Sequence, residues 1–219
     1  MGRVLSLYSV SSECVPKMYV VSSSEPYGDP GTRDRILRAT WELVPELGPG
    51  VGLADVAARA GVSRQAVYLH FGDRAGLLLA LVAWADETLE LGELVARVAE
   101  APTGVEALER MIELHAAYAP RIDAVARVLE VHQYHDPALA AAWRDRMNGR
   151  RTVHRAVIER IAKEVGLATG WTVDSATDLF YTVTMPGPWR ELTDECAWSA
   201  NQYSTRVSQL LRRAFVADP

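Results

Sequence analysis

From Thr32 onward apolar residues recur at helical spacing, and nowhere do they alternate with the period of two that marks a half-buried strand. Thr32 suits a helix N-cap and Asp34 the first-turn dipole. Ile36, Thr40, Leu43, Val44 and Leu47 then share one face until Gly48-Pro49-Gly50 stops the helix. A second short helix is predicted over Leu53–Ala60, with Leu53, Val56, Ala57 and Ala60 inward and Gly61 where a left-handed residue is wanted. Ser63 caps a third helix to Phe71, and Asp73 caps a long fourth containing Leu78, Leu81, Val82, Ala85 and Leu89. Further helices are predicted over 103–118, 122–134, 137–165, 173–185, 189–195 and 200–216, separated at Pro102, Pro120, Asp136-Pro137, Gly170, Pro186-Gly187-Pro188 and Trp198-Ser199. The expected fold is all-α. Residues 1–31 lack periodicity and are turn-rich, so they read as a flexible N-terminal arm, with Met18 as an alternative start. The remainder divides into domains over 32–80 and 81–219.

Composition narrows the class. With 49% hydrophobic and 23% charged residues among 219, the chain is an ordinary globular protein. Cys14 and Cys196 are too few for a disulfide framework and lack metal-ligand spacing, which points to a reducing, cytoplasmic setting. No apolar run approaches the roughly 18 residues needed to span a bilayer, so no membrane partner is expected. The net charge of −5 argues against nucleic acid only until it is divided. Residues 32–80 carry six arginines against five acids, whereas the remainder after residue 80 carries 15 basic and 20 acidic residues. The acidity belongs to the C-terminal part.

Residues 53–72 carry the most information. Two short helices joined by a Gly-containing turn cross steeply, and small Ala57 lets their backbones approach: a helix-turn-helix. With Val67 and Phe71 inward, the third helix exposes Arg64, Gln65, Tyr68, Leu69 and His70. Arg and Gln near a helix start suit bidentate contacts with guanine and adenine in the major groove. Tyr68 and His70 suit phosphates, as does Arg74 beside the dipole of the fourth helix. Ser63 and Arg33 complete the DNA-facing set. The bland reading is a helical hairpin with a solvated polar face. Tyr, Leu and His exposed together beside two arginines fit that reading poorly.

Leu53-Ala54-Asp55-Val56-Ala57, Ala60-Gly61-Val62-Ser63, Val67-Tyr68-Leu69-His70-Phe71 and Leu77-Leu78 resemble the tetracycline-repressor-like (TetR) transcription regulators. The resemblance implies an N-terminal three-helix DNA-binding domain and a C-terminal helical domain that dimerises and binds a small molecule. It also implies a homodimer reading a palindromic double-stranded operator, with repression relieved by the ligand. One departure is Gly52, where many members have Ser or Thr that caps the second helix and touches phosphate. The tail Trp189-Arg190-Glu191-Leu192…Trp198-Ser199…Tyr203…Leu210-Leu211-Arg212-Arg213 also resembles that of actinobacterial members.

In the C-terminal part, aromatics and histidines suit an apolar pocket with a few hydrogen-bonding groups. The family resemblance selects Trp84, His115, Tyr118, Trp143 and Phe180 as ligand-binding candidates. His132 and His135 have a spacing that a divalent metal accepts, but a helix-end position explains them more simply, so neither metal nor cofactor is expected. No phosphate loop, nucleophile elbow or dinucleotide fingerprint is present, and an enzyme is not expected. Leu179 and Val183 on one helix, with Val207, Leu210 and Leu211 on the last, form stripes that either dimerise as a four-helix interface or pack on their own domain. The alternative function is an all-α small-molecule binding protein or enzyme that has lost DNA reading.

Overall fold

The structure is a computed structural model and describes residues 29–217. It is all-α: among the described residues there is no named strand, only an isolated antiparallel bridge between Leu167 and Val216. The expected arm over 1–31 lies outside the described residues for 1–28, and its last residues belong to the first helix. The helices are α1 (Pro30–Leu47), α2 (Leu53–Ala60), α3 (Arg64–Phe71), α4 (Arg74–Thr88), α5 (Leu91–Ala99), α6 (Gly104–His132), α7 (Pro137–Glu164), α8 (Val173–Val183), α9 (Pro186–Arg190) and α10 (Ala200–Phe215). A 3-10 turn at Gly48–Gly50 follows α1, and a π turn at Glu191–Glu195 follows α9. No single described helix is long and apolar enough to cross a membrane.

The chain forms two compact units. An N-terminal unit comprises residues 29–89 and 122–145, and a C-terminal unit comprises 90–121 and 146–217. The core of the first includes Ile36, Leu37, Val44, Val56, Val67, Leu78 and Leu81. The core of the second includes Leu108, Ile112, Ile158, Ile161, Phe180, Tyr203, Leu211 and Phe215.

Helix starts follow local chemistry, with one correction. Asp29, not Thr32, caps α1: its carboxylate accepts from the Thr32 N–H at 2.9 Å and from the Thr32 hydroxyl at 3.0 Å. Pro30 decides this, because its fixed φ is preorganised for the first helical position and it has no N–H to leave unpaired. The predicted boundaries of α2 and α3 hold to the residue. Gly61 is left-handed at φ 65°, Ser63 Oγ accepts from the Ala66 N–H at 3.1 Å, and Asp73 accepts from the Gly76 N–H at 2.8 Å.

Two interruptions differ from the sequence pattern. Pro120 does not divide 103–134; α6 runs through it. Its ring is exposed, and Ile112, Ala116 and Ala119 before it and Val125, Val128 and Leu129 after it are all buried. Burial of both stretches offsets the roughly 3 kcal/mol that an interior proline costs. Conversely, the fourth helix does not run on, because Glu90 adopts the left-handed conformation (φ 54°) and starts α5 afresh.

At the α3–α4 corner a β-carbon on Gly76 would overlap the Phe71 carbonyl oxygen. Gly76→Ala is therefore expected to destabilise the N-terminal unit by about 1–3 kcal/mol, the usual penalty of overpacking. Urea unfolding monitored through Trp41 and Trp84 fluorescence measures this, with Gly50→Ala, where a β-carbon meets nothing, as the control.

Candidate functional site

The helix-turn-helix emerges from its caps. Gly52 caps α2 without a side chain, and the Asp55 carboxylate closes the turn by accepting the Gly52 N–H at 3.2 Å. Val67 is the single buried residue of α3. On the other side Arg64 and Gln65 are exposed, and Tyr68 and Leu69 keep 42% and 57% of their surface. Arg64 is preorganised against Tyr68: its guanidinium carbon lies 5.6 Å from the ring centroid, and Nη2 donates to the Tyr68 hydroxyl at 3.4 Å. Ser63 uses its hydroxyl as the cap.

The flanking residues are placed differently. His70 is half-buried, and its Nδ1 has no partner. Arg33 packs over the Phe71 ring at 5.1 Å. Arg74 directs Nη2 to the Pro49 carbonyl in the turn after α1, and burial holds its pKa below the ordinary arginine value. The same carbonyl lies 3.0 Å from Nε2 of His132, near the end of α6. That contact accounts for His132; among the described residues no three His, Cys, Asp or Glu side chains converge as a metal site.

The five candidate ligand residues divide between the units. Trp84 belongs to the N-terminal unit, where Nε1 donates to Asp34 at 2.9 Å and the ring meets Trp41 edge-on at 5.8 Å. Trp143 is buried in the same unit. His115, Tyr118 and Phe180 belong to the C-terminal unit. Among the dimer candidates, Val207 and Leu211 are buried in their own unit's core, Leu179 and Val183 are partly buried against it, and Leu210 is 58% exposed.

His115 and Phe180 lead to a polar cluster that the sequence reading did not identify. Arg150 and His154, one turn apart on α7, are its centre. Arg150 Nη2 donates to His115 Nδ1 at 3.2 Å and to the Thr184 carbonyl. Its pKa falls to about 10, chiefly through burial, so it remains cationic at neutral pH. His154 Nδ1 donates to the Arg150 carbonyl at 2.6 Å, and its Nε2 lies 3.1 Å from the Thr184 hydroxyl. Burial first, then the Arg150 charge, depress His154 to about 3. The same two causes, with His154 added, hold His115 well below the ordinary histidine value. Around His115 stand Trp189 at 5.6 Å and Tyr203 at 5.7 Å, with Tyr203 Oη donating to the Val183 carbonyl at 3.2 Å. Tyr118 accepts from Arg146 Nη2 at 2.8 Å. A signal existed in the sequence: Arg150 and His154 continue the stripe of Ile158 and Ile161, so polar side chains occupy core positions of an otherwise apolar face. The same unit has an open groove of about 610 Å³ walled by Glu106, Glu109, Arg212 and Val216, which none of the candidate ligand residues lines.

Residues 36–81 match the model of the family described as bacterial regulatory proteins, tetR family. Among solved structures, a Saccharomonospora viridis protein in complex with choline aligns with TM-score 0.74 and 18% identity over 87% of this chain and 100% of its own. The transcriptional regulator FadR of Bacillus subtilis, in complex with stearoyl-CoA, aligns with TM-score 0.64 and 17% identity over 81% and 96%. NalD, a secondary repressor of the MexAB-OprM multidrug efflux pump in Pseudomonas aeruginosa, aligns with TM-score 0.62 and 20% identity over 86% and 97%. At these identities the likeness is one of fold. No curated protein matches the chain.

The cluster predicts a pH dependence. His154 is neutral in the folded chain down to about pH 3, whereas the unfolded histidine takes up a proton near its ordinary value of 6.5. The unfolded state therefore binds more protons between these limits, and stability falls as pH drops through that window, by at most about 1.4 kcal/mol per unit from this group. Urea midpoints at pH 7, 6, 5 and 4 measure the slope, which His154→Gln is expected to flatten.

Proposed function

The chain belongs to the TetR family of bacterial regulatory proteins, and on that premise we propose that it is a cytoplasmic repressor that binds a palindromic operator as a homodimer and is released by a small molecule. The observation that carries this reading is α3. A helix of eight residues, with Val67 buried, presents Arg64, Gln65, Tyr68 and Leu69 on one open face. Arg64 and Gln65 stand in its first turn, where side chains reach base edges. Tyr68 and His70 contact phosphate and set register. Arg74 acts from behind, tying the start of α4 to the turn after α1.

Exposed Leu210, with the outward parts of Leu179 and Val183, provides the contact between two copies through α8 and α10. An isologous pair of this kind presents two α3 helices roughly 34 Å apart, one turn of DNA. Release requires a ligand with different affinities for two arrangements of the dimer. Helix α6 suits the relay because it contributes to both units and ends with His132 on the Pro49 carbonyl, beside Arg74. Structural relatives bound to choline and to stearoyl-CoA support a ligand response in this fold.

The test is a mobility-shift titration with the duplex upstream of the chain's own coding region and a scrambled duplex. Wild type is expected to prefer the first and to lose affinity steeply with salt. Arg64→Ala or Gln65→Ala is expected to relax discrimination at one base position per half-site, at a cost of about 1–3 kcal/mol. Equal binding of both duplexes at moderate salt removes the reading.

A further inference from the structure

Within the C-terminal unit, Arg150 is a buried charge with no counter-ion among the described residues. The arginines around it are matched with acids: Arg151 with Asp178, Arg155 with Asp174 and Glu159, Arg160 with Glu164. Among the described residues, no carboxylate lies within ion-pair distance of Arg150. Its partners are a carbonyl, a neutral imidazole and phenol rings, and the one charged group that acts on it, Arg146, has the same sign. A guanidinium placed so is costly, since removing a charge from water is repaid only by a well-placed opposite charge and full hydrogen bonding.

The hydrogen bonding is also incomplete, and in one sense only. Arg150 Nε is buried with no partner, and so is His115 Nε2. Arginine can only donate, so the contact from Nη2 makes His115 Nδ1 an acceptor. In the neutral imidazole the ring proton then sits on Nε2. Both orphans are therefore donors, and both require an acceptor. Arg150 as a residue keeps part of its surface accessible.

The surroundings limit the acceptor. Between two neutral histidines the Arg150 guanidinium is the charge at the centre of the cluster, and one carboxylate pairs with it one to one. Among the described residues, neither a lysine nor a glycine-rich turn is a partner of the cluster. The surroundings are aromatic: the Trp189 and Tyr203 ring centroids are 4.7 Å apart, both within 6 Å of His115, and Phe180 lies against His154 at 4.1 Å. We propose that Arg150 and His115 bind the carboxylate of an organic monoanion whose planar apolar body packs against Trp189 and Tyr203. This assignment rests on the reading of the chain as a ligand-responsive regulator, and makes that anion its class of effector.

The probe is benzoate, with benzamide as its uncharged isostere and sodium chloride at equal ionic strength, each added to the full chain at pH 7 and followed by thermal melting and calorimetry. Benzoate is expected to raise the melting temperature with saturation, and benzamide and chloride are not. Arg150→Met is expected to weaken benzoate binding at least tenfold while melting no lower than wild type without ligand, because it removes an unpaired charge at similar volume. A purely structural arginine gives the opposite result, a lower melting temperature without ligand. His115→Gln, which keeps a donor and an acceptor, is expected to weaken benzoate binding less than Arg150→Met does. A response to benzamide equal to that of benzoate, saturation by chloride alone, or unchanged benzoate binding in Arg150→Met overturns the assignment. Operator binding by the wild type is measured in parallel. Its loss refutes the regulator reading alone, and its presence with no benzoate response refutes the assignment alone.

Discussion

Between Phe71 and Gly76 the backbone turns back on itself so closely that no β-carbon fits on Gly76, and the presentation of α3 depends on that corner. One buried side chain cannot orient a helix. Val67 contributes on the order of 2 kcal/mol of burial but leaves the helix free to rotate about its contact. Rotation is fixed from the ends: the left-handed Gly61 and the Ser63 cap at the start, and the Gly72 turn with the Asp73 cap at the finish. A short helix held at both ends can spend its remaining side chains on a partner, which is why Arg64, Gln65, Tyr68 and Leu69 need no packing role.

The C-terminal unit shows the opposite arrangement. Here the polar groups are inside, held by α7 against His115 and Thr184. The exposed ion pairs on the other faces of α7 are worth little each, of order 0–1 kcal/mol. The stability of this region is therefore governed by apolar burial around Ile158, Ile161, Phe180 and Leu211, set against the cost of enclosing one cation and two neutral histidines.

The N-terminal unit was legible because its signals are local. Ser63, Gly61 and Asp73 each act within four residues of themselves, so capping chemistry and helical period locate α2 and α3 without knowledge of the rest. The start of α1 was misread because Asp29 and Thr32 are both competent caps, and only Pro30 between them decides. Pro120 was misread as a break because its penalty is local whereas the packing that offsets it comes from residues distant in sequence. Arg150 and His154 escaped for the same reason. An arginine on a long helix with weak amphipathic contrast reads as a solvent-facing residue; its place on the stripe of Ile158 and Ile161 is a faint signal, and the approach of His115 and Thr184 makes it plain. Trp84, a ligand-binding candidate in the sequence, also donates to Asp34, a bond across 50 residues that no local pattern announces.

The Pro49 carbonyl, which Arg74 and His132 both address, is a main-chain atom. Every amino acid supplies that oxygen, so replacing residue 49 alters the bend of the turn but cannot delete the acceptor. The information in this junction is therefore written asymmetrically. It resides in the two donors, and a sequence can retune the link between the end of α6 and the start of α4 by changing either one, while the receiving end stays constant.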